Sequence, residues 1–359
     1  MTSITEKEKV EIAQEENKEA KEKSTGSPSK PVNKVILKSF AAHTQREGAG
    51  FIVNRPIGFS RNLSDKEADP FLLLDELGYV LHCKKKKDPK HYEKGEFEGA
   101  PWHPHRGFDT VMYLKDRVIM KTIIKKFLKN RGYGTHQDSM YVKETSFVSF
   151  FFFFVYLFMI GTLGPGDCQW MTAGKGIIHD EGRDHPGGML HGFQLWVNLP
   201  KSQKMCDPKY QTITAKNFAF VEVNKGVKVK AIAGSVSNMS GNDKALVTSP
   251  IKPIQPINYF DYSLEPNSSF VHTISQAEEL TTVIVYVYNG KGHFADGGIS
   301  GSDSETDKEK KWVSVSRKQT LYLGKGDSIE FKSAEKEKLE FLLLVGKPTK
   351  EVGFFATFA

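Results

Sequence analysis

Two short histidine-containing stretches carry the residues best suited to chemistry. His103 and His105 are separated by one residue, and His179 and Glu181 repeat that spacing further along the chain. Residues i and i+2 of an extended strand lie on the same face. Two such strands side by side would therefore bring three imidazoles and one carboxylate to one point.

This set of side chains favours a metal site over an incidental cluster. A lone His-x-His pair is weak evidence for a metal site, because most such pairs lie on protein surfaces. Two pairs with the same period, each framed by glycine or proline, strengthen the prediction. Three imidazoles and a carboxylate suit a divalent first-row metal with open coordination positions, and iron ahead of the others where the chemistry is redox.

The segments around both pairs are typical of short strands joined by tight turns. Residues 164–167 and 173–176 are glycine-rich turns, and the second leads directly to His179 and Glu181. Residues 191–200 form an apolar strand in which we expect Phe193 and Trp196 to be buried. Abundant glycine (31) and proline (16), with β-branched residues in short runs, indicate an all-β protein with many turns.

The C-terminal half repeats this pattern without the ligand pairs. Residues 321–331 echo residues 163–170 as strand, Gly-x-Gly-Asp turn and strand, which suggests a duplicated barrel. His272 and His293 are isolated in sequence, and we interpret both as ordinary structural or surface histidines. The sequence predicts a metal-binding barrel over residues 34–215 and a second barrel, without metal ligands, over residues 216–359.

Several longer motifs carry a family resemblance. They are Asp69-Pro-Phe-Leu-Leu-Leu-Asp-Glu76, His103-Pro-His-Arg-Gly-Phe108, Gly164-Pro-Gly-Asp167, Gln169-Trp-Met-Thr-Ala-Gly174, Gly176-Ile-Ile-His179 and His191-Gly-Phe-Gln-Leu-Trp-Val-Asn-Leu-Pro200. The set resembles the pirin family, over residues 34–350 and most densely in the N-terminal half. The resemblance implies two cupin (jelly-roll) β-barrels in tandem. It also implies one non-haem Fe(II) per chain in the first barrel, held by His103, His105, His179 and Glu181.

The resemblance implies two alternative roles. One is quercetin 2,3-dioxygenase activity, in which O₂ opens the heterocyclic ring of a flavonoid-like substrate with release of carbon monoxide and Glu181 is the catalytic general base. The other is an iron-dependent nuclear co-regulator that binds transcription factors without catalysis. The lysine run at residues 84–87 favours the second role. We expect a monomer in the nucleus, the cytoplasm or both.

Four further residues are candidates for the surroundings of the metal. We expect His136 and Gln169 to line the mouth of the site. Asp109 stands where the family has glutamate, and the shorter side chain can alter a hydrogen bond that orients a ligand. Arg106 is the expected charge partner of Asp109.

Two segments between the ligand strands are longer than the family pattern implies. Residues 115–131 have apolar side chains at helical spacing among lysines, which predicts a basic amphipathic helix on a membrane or a partner. Residues 141–161 include five consecutive phenylalanines and are expected to lie outside the barrel. A transmembrane helix, a hairpin or helix packed outside the barrel, and a gene-model error remain alternatives. The first would separate the two ligand strands, so a membrane protein is not favoured.

Composition adds limits on partners and compartment. The formal net charge is +7, but no zinc-finger spacing or RNA-binding motif is present, so sequence-specific reading of nucleic acid is not expected. Three widely spaced cysteines predict neither a disulfide framework nor a zinc knuckle. Residues 1–33 are rich in glutamate and lysine, lack a secretory signal and predict a disordered tail. The resemblance also implies a further C-terminal segment, so a shortened C-terminus is expected.

Overall fold

The regular structure of the chain is almost entirely β-strand. The computed structural model describes residues 31–47, 51–59, 62–78, 91–92, 100–116, 120–127, 156–181, 188–189, 191–237, 245–298 and 310–351. The expected tail (residues 1–30 of it), the lysine run at residues 84–87 and the phenylalanine run at residues 150–154 lie outside these ranges. In the described residues one helix, α1 (Asp65–Ala68), and one 3-10 turn (Ala215–Asn217) accompany the strands.

Fourteen strands precede the 3-10 turn. They are β1 (Ile36–Ala41), β2 (His43–Glu47), β3 (Phe51–Ile57), β4 (Phe71–Leu77), β5 (His91–Tyr92), β6 (Ala100–His105), β7 (Phe108–Asp116), β8 (Met120–Phe127), β9 (Tyr156–Leu163), β10 (Cys168–Thr172), β11 (Ile177–Glu181), β12 (Gly188–Met189), β13 (His191–Asn198) and β14 (Lys209–Ile213).

Eleven more strands follow the turn. They are β15 (Val221–Asn224), β16 (Val227–Ala233), β17 (Ser235–Ser237), β18 (Ala245–Thr248), β19 (Ile257–Leu264), β20 (Ser269–Thr273), β21 (Thr282–Asp296), β22 (Lys311–Ser316), β23 (Gln319–Leu323), β24 (Ser328–Ser333) and β25 (Leu339–Gly346).

The first half forms two sheets that enclose the predicted site. One sheet has seven strands in the order β14-β10-β7-β13-β4-β3-β2, and the other has four in the order β6-β11-β8-β9. Side chains of the two sheets are in contact. The ring centroids of His105 on β6 and Trp196 on β13 lie 5.3 Å apart. The two sheets therefore face each other around a shared interior.

Glycine is required in the turn that leads to β11. Gly174 has a φ of +50°, and a Cβ there would lie 2.1 Å from the carbonyl oxygen of Cys206. The same loop residue accepts a hydrogen bond from the Lys175 backbone N–H at 3.0 Å. The close approach of two backbones fixes where β11 begins.

The second half forms a ten-stranded sheet that also takes in the first strand of the chain. Its main path is β1-β23-β21-β25-β19-β16-β15. Strand β1 pairs antiparallel with β23, from Ile36 opposite Leu323 to Ala41 opposite Gln319. The prediction counted these residues with the N-terminal barrel. They belong to the C-terminal sheet instead. The prediction missed this because their pairing partner, β23, lies nearly the whole chain away in sequence.

The predicted amphipathic helix at residues 115–131 is wrong. Within that segment β8 is a strand, which pairs with β11 so that Thr122 lies opposite Glu181 and Ile124 opposite His179. Its apolar residues include β-branched isoleucines and a threonine, which favour strands. The periodicity of this short apolar run fits a helix or a strand, and the neighbouring strands that pair with it decide for the strand.

The segment at residues 141–161 also contributes to the site-bearing sheet. Residues 156–161 belong to β9, which pairs with β8 and forms one edge of that sheet. The expectation that the whole segment lies outside the barrel is wrong for these residues. Residues 141–155 lie outside the described part of the chain. Among the described residues, no helix has the length and hydropathy needed to cross a membrane.

Two apolar cores hold the sheets together. One core lies between the seven-stranded sheet and the C-terminal sheet, where Trp170 and Phe193 pack in the same cluster as Tyr259 and Tyr286. The other fills the C-terminal barrel, and the aromatic rings of Tyr262 and Phe341 stack within it at 5.1 Å. From Asn33 onward the contacts form one compact unit, and the division at residue 215 stays a prediction.

Candidate metal centre

Three histidines converge where β6 lies beside β11. Backbone pairing sets His179 directly opposite His103 and Ile177 opposite His105. The Nε2 atom of His179 lies 2.8 Å from that of His105 and 2.9 Å from that of His103. All three side chains offer ligand atoms within 4.8 Å of one another. The structure thus brings together three of the four residues predicted to bind a metal.

These separations fit one metal ion bound to three nitrogens. Two nitrogens held at about 2.1 Å from a metal and at a right angle to each other lie about 3 Å apart. The Nε2 separations of His179 from His105 and from His103 match that value. Among the described residues, this is the group of histidine, cysteine and carboxylate side chains whose geometry could hold an ion.

The electrostatics of the cluster also suit a metal. Burial, followed by the nearby His103, lowers the pKa of His105 to about 3. Burial and the two neighbouring imidazoles hold the pKa of His179 well below its ordinary value. Both rings are therefore neutral near pH 7, which is the protonation state that a metal ligand requires.

Glu181 lies beside the cluster rather than within it. Its Oε1 atom is 3.5 Å from Nδ1 of His179, on the side of the ring away from the other histidines. Its Oε2 atom accepts a hydrogen bond from Gln194 Nε2 at 3.4 Å. The pairing of β6 with β11 has an irregularity at this point, since Glu181 lies opposite Ala100. Burial, and then the charge of Asp180, raise the pKa of Glu181 to about 7.

Aromatic side chains close one side of the histidine cluster. The ring of Phe108 lies 5.3 Å from that of His105 and 4.9 Å from that of Trp196. Phe108 follows the first histidine pair by three residues and opens β7, whereas Trp196 lies on β13. These apolar faces make the interior next to the histidines suitable for an aromatic ligand.

The other predicted site residues have different contacts. Asp109 is fully buried and accepts a hydrogen bond from Trp170 Nε1 at 2.9 Å, on the face that packs against the C-terminal sheet. Arg106 is exposed and donates to Met205 Sδ at 3.4 Å. Burial raises the pKa of Asp109 to about 6, despite hydrogen bonds from Trp170 and Thr172. The hydrogen bonds of the two residues therefore lead in different directions, and Asp109 stabilises the face of the sheet that packs against the C-terminal half.

Gln169 lies inside the barrel, where it donates a hydrogen bond to the hydroxyl of Tyr210. His136 lies outside the described residues. Sequence reasoning missed Tyr210 and Gln194. For Gln194 a signal exists, because a polar residue alternates with Phe193 and Leu195 on an otherwise apolar strand. For Tyr210 only the three-dimensional pairing of β14 with β10 reveals the position.

Comparison with known proteins extends this picture. The pirin family model matches residues 159–197, the segment that contains His179 and Glu181. A pirin-like protein of Arabidopsis thaliana is 31% identical over 325 residues, which cover 89% of this chain and 81% of that protein. A Pseudomonas aeruginosa protein named "Putative quercetin 2,3-dioxygenase" is 28% identical over 316 residues, covering 88% of this chain and 87% of that protein.

Solved structures share the fold. Quercetin 2,3-dioxygenase from Acinetobacter baumannii superposes with a TM-score of 0.62 at 24% identity, covering 90% of each chain. The bacterial pirin YhhW from Escherichia coli, in complex with nickel(II), superposes with a TM-score of 0.50 at 16% identity, covering 87% of this chain and 100% of that chain. The predicted fold of two cupin barrels in tandem is confirmed.

Proposed function

The chain belongs to the pirin family of the cupin superfamily, and from that premise we propose that it is a metal-dependent dioxygenase of flavonols. The observation that carries the proposal is the convergence of three imidazoles beside an interior lined by aromatic rings. The relative from Pseudomonas aeruginosa whose name includes quercetin 2,3-dioxygenase supports the choice of reaction. Fe(II) is the proposed metal, since the reaction consumes O₂ and the ligand type suits a redox ion.

The ligands are His103, His105 and His179, with Glu181 available beside them. A bound Fe(II) would supply the Lewis acidity and the redox chemistry that a reaction with O₂ needs. The three imidazoles would hold the ion and leave coordination positions for substrate and O₂. Glu181 either joins the metal on binding or holds His179 in place through Nδ1.

Glu181 is the proposed general base for the 3-hydroxyl of the flavonol. It is buried beside the cluster, and the amide of Gln194 holds one of its oxygens. A carboxylate in this position can accept the hydroxyl proton as the substrate enters. The rings of Phe108 and Trp196 supply the apolar surface against which an aromatic substrate lies.

Oxygen uptake by purified protein of known metal content tests the proposal. We expect protein loaded with Fe(II) to consume O₂ and release carbon monoxide on addition of quercetin. The variant Glu181→Gln should keep most of its metal and lose activity by about 10²-fold or more. Glu340→Gln, which changes a carboxylate of the C-terminal barrel in the same way, should leave activity unchanged. Metal binding without oxygen uptake on flavonols would overturn the dioxygenase proposal and leave the co-regulator hypothesis.

A further inference from the structure

The face that the seven-stranded sheet turns toward the histidines carries polar as well as apolar side chains. In β10 and β13 the residues Cys168, Trp170, Phe193 and Leu195 belong to the core shared with the C-terminal barrel. The alternating residues of the same strands therefore face the interior of the first barrel. The ring contact of Trp196 with His105 and the hydrogen bond of Gln194 to Glu181 establish this orientation.

Two glutamines lie in one row across this face. Met112 on β7 is the cross-strand partner of Gln169 on β10 and of Gln194 on β13. Because neighbouring strands are spaced by about 4.8 Å, the two glutamine backbones lie about 10 Å apart. That separation is comparable with the length of a fused two-ring aromatic nucleus. One amide thus lies beside Glu181 and the metal centre, and the other lies at the far side of the interior.

The far glutamine is joined to a tyrosine. Tyr210 on β14 is the cross-strand partner of Met171, and it packs against the small apolar cluster of Met171, Ala173 and Ile177. Its hydroxyl accepts a hydrogen bond from Gln169 Nε2. Burial raises the pKa of Tyr210 and outweighs the hydrogen bonds with Thr212 and Gln169, which lower it, so the hydroxyl remains protonated and able to donate. The pair presents donors and acceptors together, as a hydroxyl ligand requires.

The charges in this row favour a neutral ligand over an anion. Arg55 reaches the row at Asp75, which is the cross-strand partner of Gln194. Its guanidinium binds both oxygens of Asp75, at 2.7 and 2.6 Å, and also contacts Glu47 at 2.7 Å. The other polar groups of the row are the amides of Gln169 and Gln194 and the hydroxyl of Thr212, the cross-strand partner of Gln169. The phenol of Tyr210 and the carboxyl group of Glu181 lie beside the row. Such a lining recognises hydroxyl groups and opposes carboxylates or phosphates.

We propose that Gln169 and Tyr210 form a hydroxyl-recognition pair that selects polyhydroxylated aromatic substrates over those without ring hydroxyls. This inference rests on the proposed function, because it assumes that the 3-hydroxyl end of the substrate lies at the metal centre. The pair then meets a hydroxyl on the part of the substrate that lies away from the metal. A substrate that lacks this hydroxyl leaves the pair without its ligand, and specificity arises from that loss.

Anaerobic binding to nickel(II)-loaded protein tests the pair without turnover. Quercetin and 3-hydroxyflavone share the 3-hydroxyl but differ in their ring hydroxyls, so their Kd values, measured by fluorescence quenching, isolate the recognition step. We expect wild type to bind quercetin about tenfold more tightly than 3-hydroxyflavone, the effect of one or two buried hydrogen bonds. The variant Tyr210→Phe should weaken quercetin alone and remove most of that ratio. Gln169→Leu should do the same, and the double variant should be no worse than either single one.

Controls separate recognition from folding and from catalysis. Tyr259→Phe makes the same substitution in the C-terminal barrel and should leave both Kd values unchanged. All variants should bind the same amount of nickel as wild type. Equal weakening of both ligands, or an unchanged ratio in Tyr210→Phe, would overturn the inference, as would failure of wild type to bind either flavonol. Selective binding without oxygen uptake by the Fe(II) protein would instead overturn only the proposed activity.

Discussion

A matched pair of tyrosines tests the interface between the barrels. Tyr286 on β21 and Tyr259 on β19 are both fully buried in the core between the sheets. The Tyr286 hydroxyl donates to Glu76 Oε2 at 2.6 Å. The Tyr259 hydroxyl has no hydrogen-bond partner among the described residues. Substitution by phenylalanine removes one oxygen from each site, but only Tyr286 loses a bond across the interface.

The structure sets the expected difference in the free energy of unfolding. A buried hydrogen bond to a charged group contributes about 1.5–3 kcal/mol, and we expect Tyr286→Phe to lose that amount. Tyr259→Phe removes a buried hydroxyl that lacks a described partner, so it should be neutral or slightly stabilising. Urea denaturation, with m-values compared to establish that the same transition is measured, gives both numbers.

The stability cost of Tyr286→Phe should also depend on pH. Burial alone would raise the pKa of Glu76, but hydrogen bonds from His191, Tyr286 and Asn54 outweigh it and hold the pKa below 4.5. Because this folded-state pKa is depressed, its stabilisation is present above pH 4.5 and is lost as the pH falls through the folded-state pKa. The cost of Tyr286→Phe should therefore shrink in acid.

Two outcomes would refute this reasoning. The first is a Tyr259→Phe variant that loses as much stability as Tyr286→Phe, which would mean that shape rather than the bond to Glu76 matters at both positions. The second is a Tyr286→Phe variant within about 0.5 kcal/mol of wild type, the range of an inert surface change. Either result would show that the bond between the barrels contributes nothing measurable.

Three further outcomes are expected. The double variant His103→Ala, His105→Ala should lose bound metal on elemental analysis while its circular dichroism is retained. A metal that survives would contradict this assignment, or the expectation that the C-terminal barrel binds none. Burial lowers the pKa of His272 to about 4. The neutral His272 side chain therefore makes its full contribution to the free energy of unfolding above pH 6.5, and up to about 3 kcal/mol of it is lost as the pH falls toward 4. The variant His272→Asn should flatten this acid dependence. An unchanged dependence would show that the histidine is already protonated in the folded protein. Gly174→Ala places a Cβ against a backbone carbonyl at positive φ, so it should cost about 2 kcal/mol or more and lower metal occupancy, and a neutral result would show that the loop yields.

The histidine cluster is the part of the site that local sequence specifies best. The one-residue spacing of His103 and His105 places both on one face of a strand, and the structure brings His179 to them. The same argument assumed a regular ladder around Glu181. The irregularity between β6 and β11 moves that carboxylate to the Nδ1 side of His179. Alternation along one strand is a local property, whereas a bulge depends on both strands.

Features that depend on distant pairing were not predicted. Residues 120–127 can satisfy a helical pattern alone, and they become a strand because β11 and β9 lie on either side. The Gln169 and Tyr210 pair depends on β14 returning to β10 after 36 intervening residues (172 to 209). Strand β1 is assigned to the C-terminal sheet by partners such as Leu321, which lie beyond any local window.

The second barrel explains how the first can keep polar side chains in its interior. The interior face of the seven-stranded sheet carries Gln169 and Gln194 beside the ring of Trp196. Its other face is mainly apolar and packs on the C-terminal sheet, whose own barrel is filled by rings such as Phe331 and Phe341. Apolar surface removed from water stabilises by roughly 25 cal/mol per Å², whichever face of a sheet it covers. A sheet anchored on its outer face can therefore keep an inner face for the proposed metal and substrate, and the C-terminal barrel would supply that anchor.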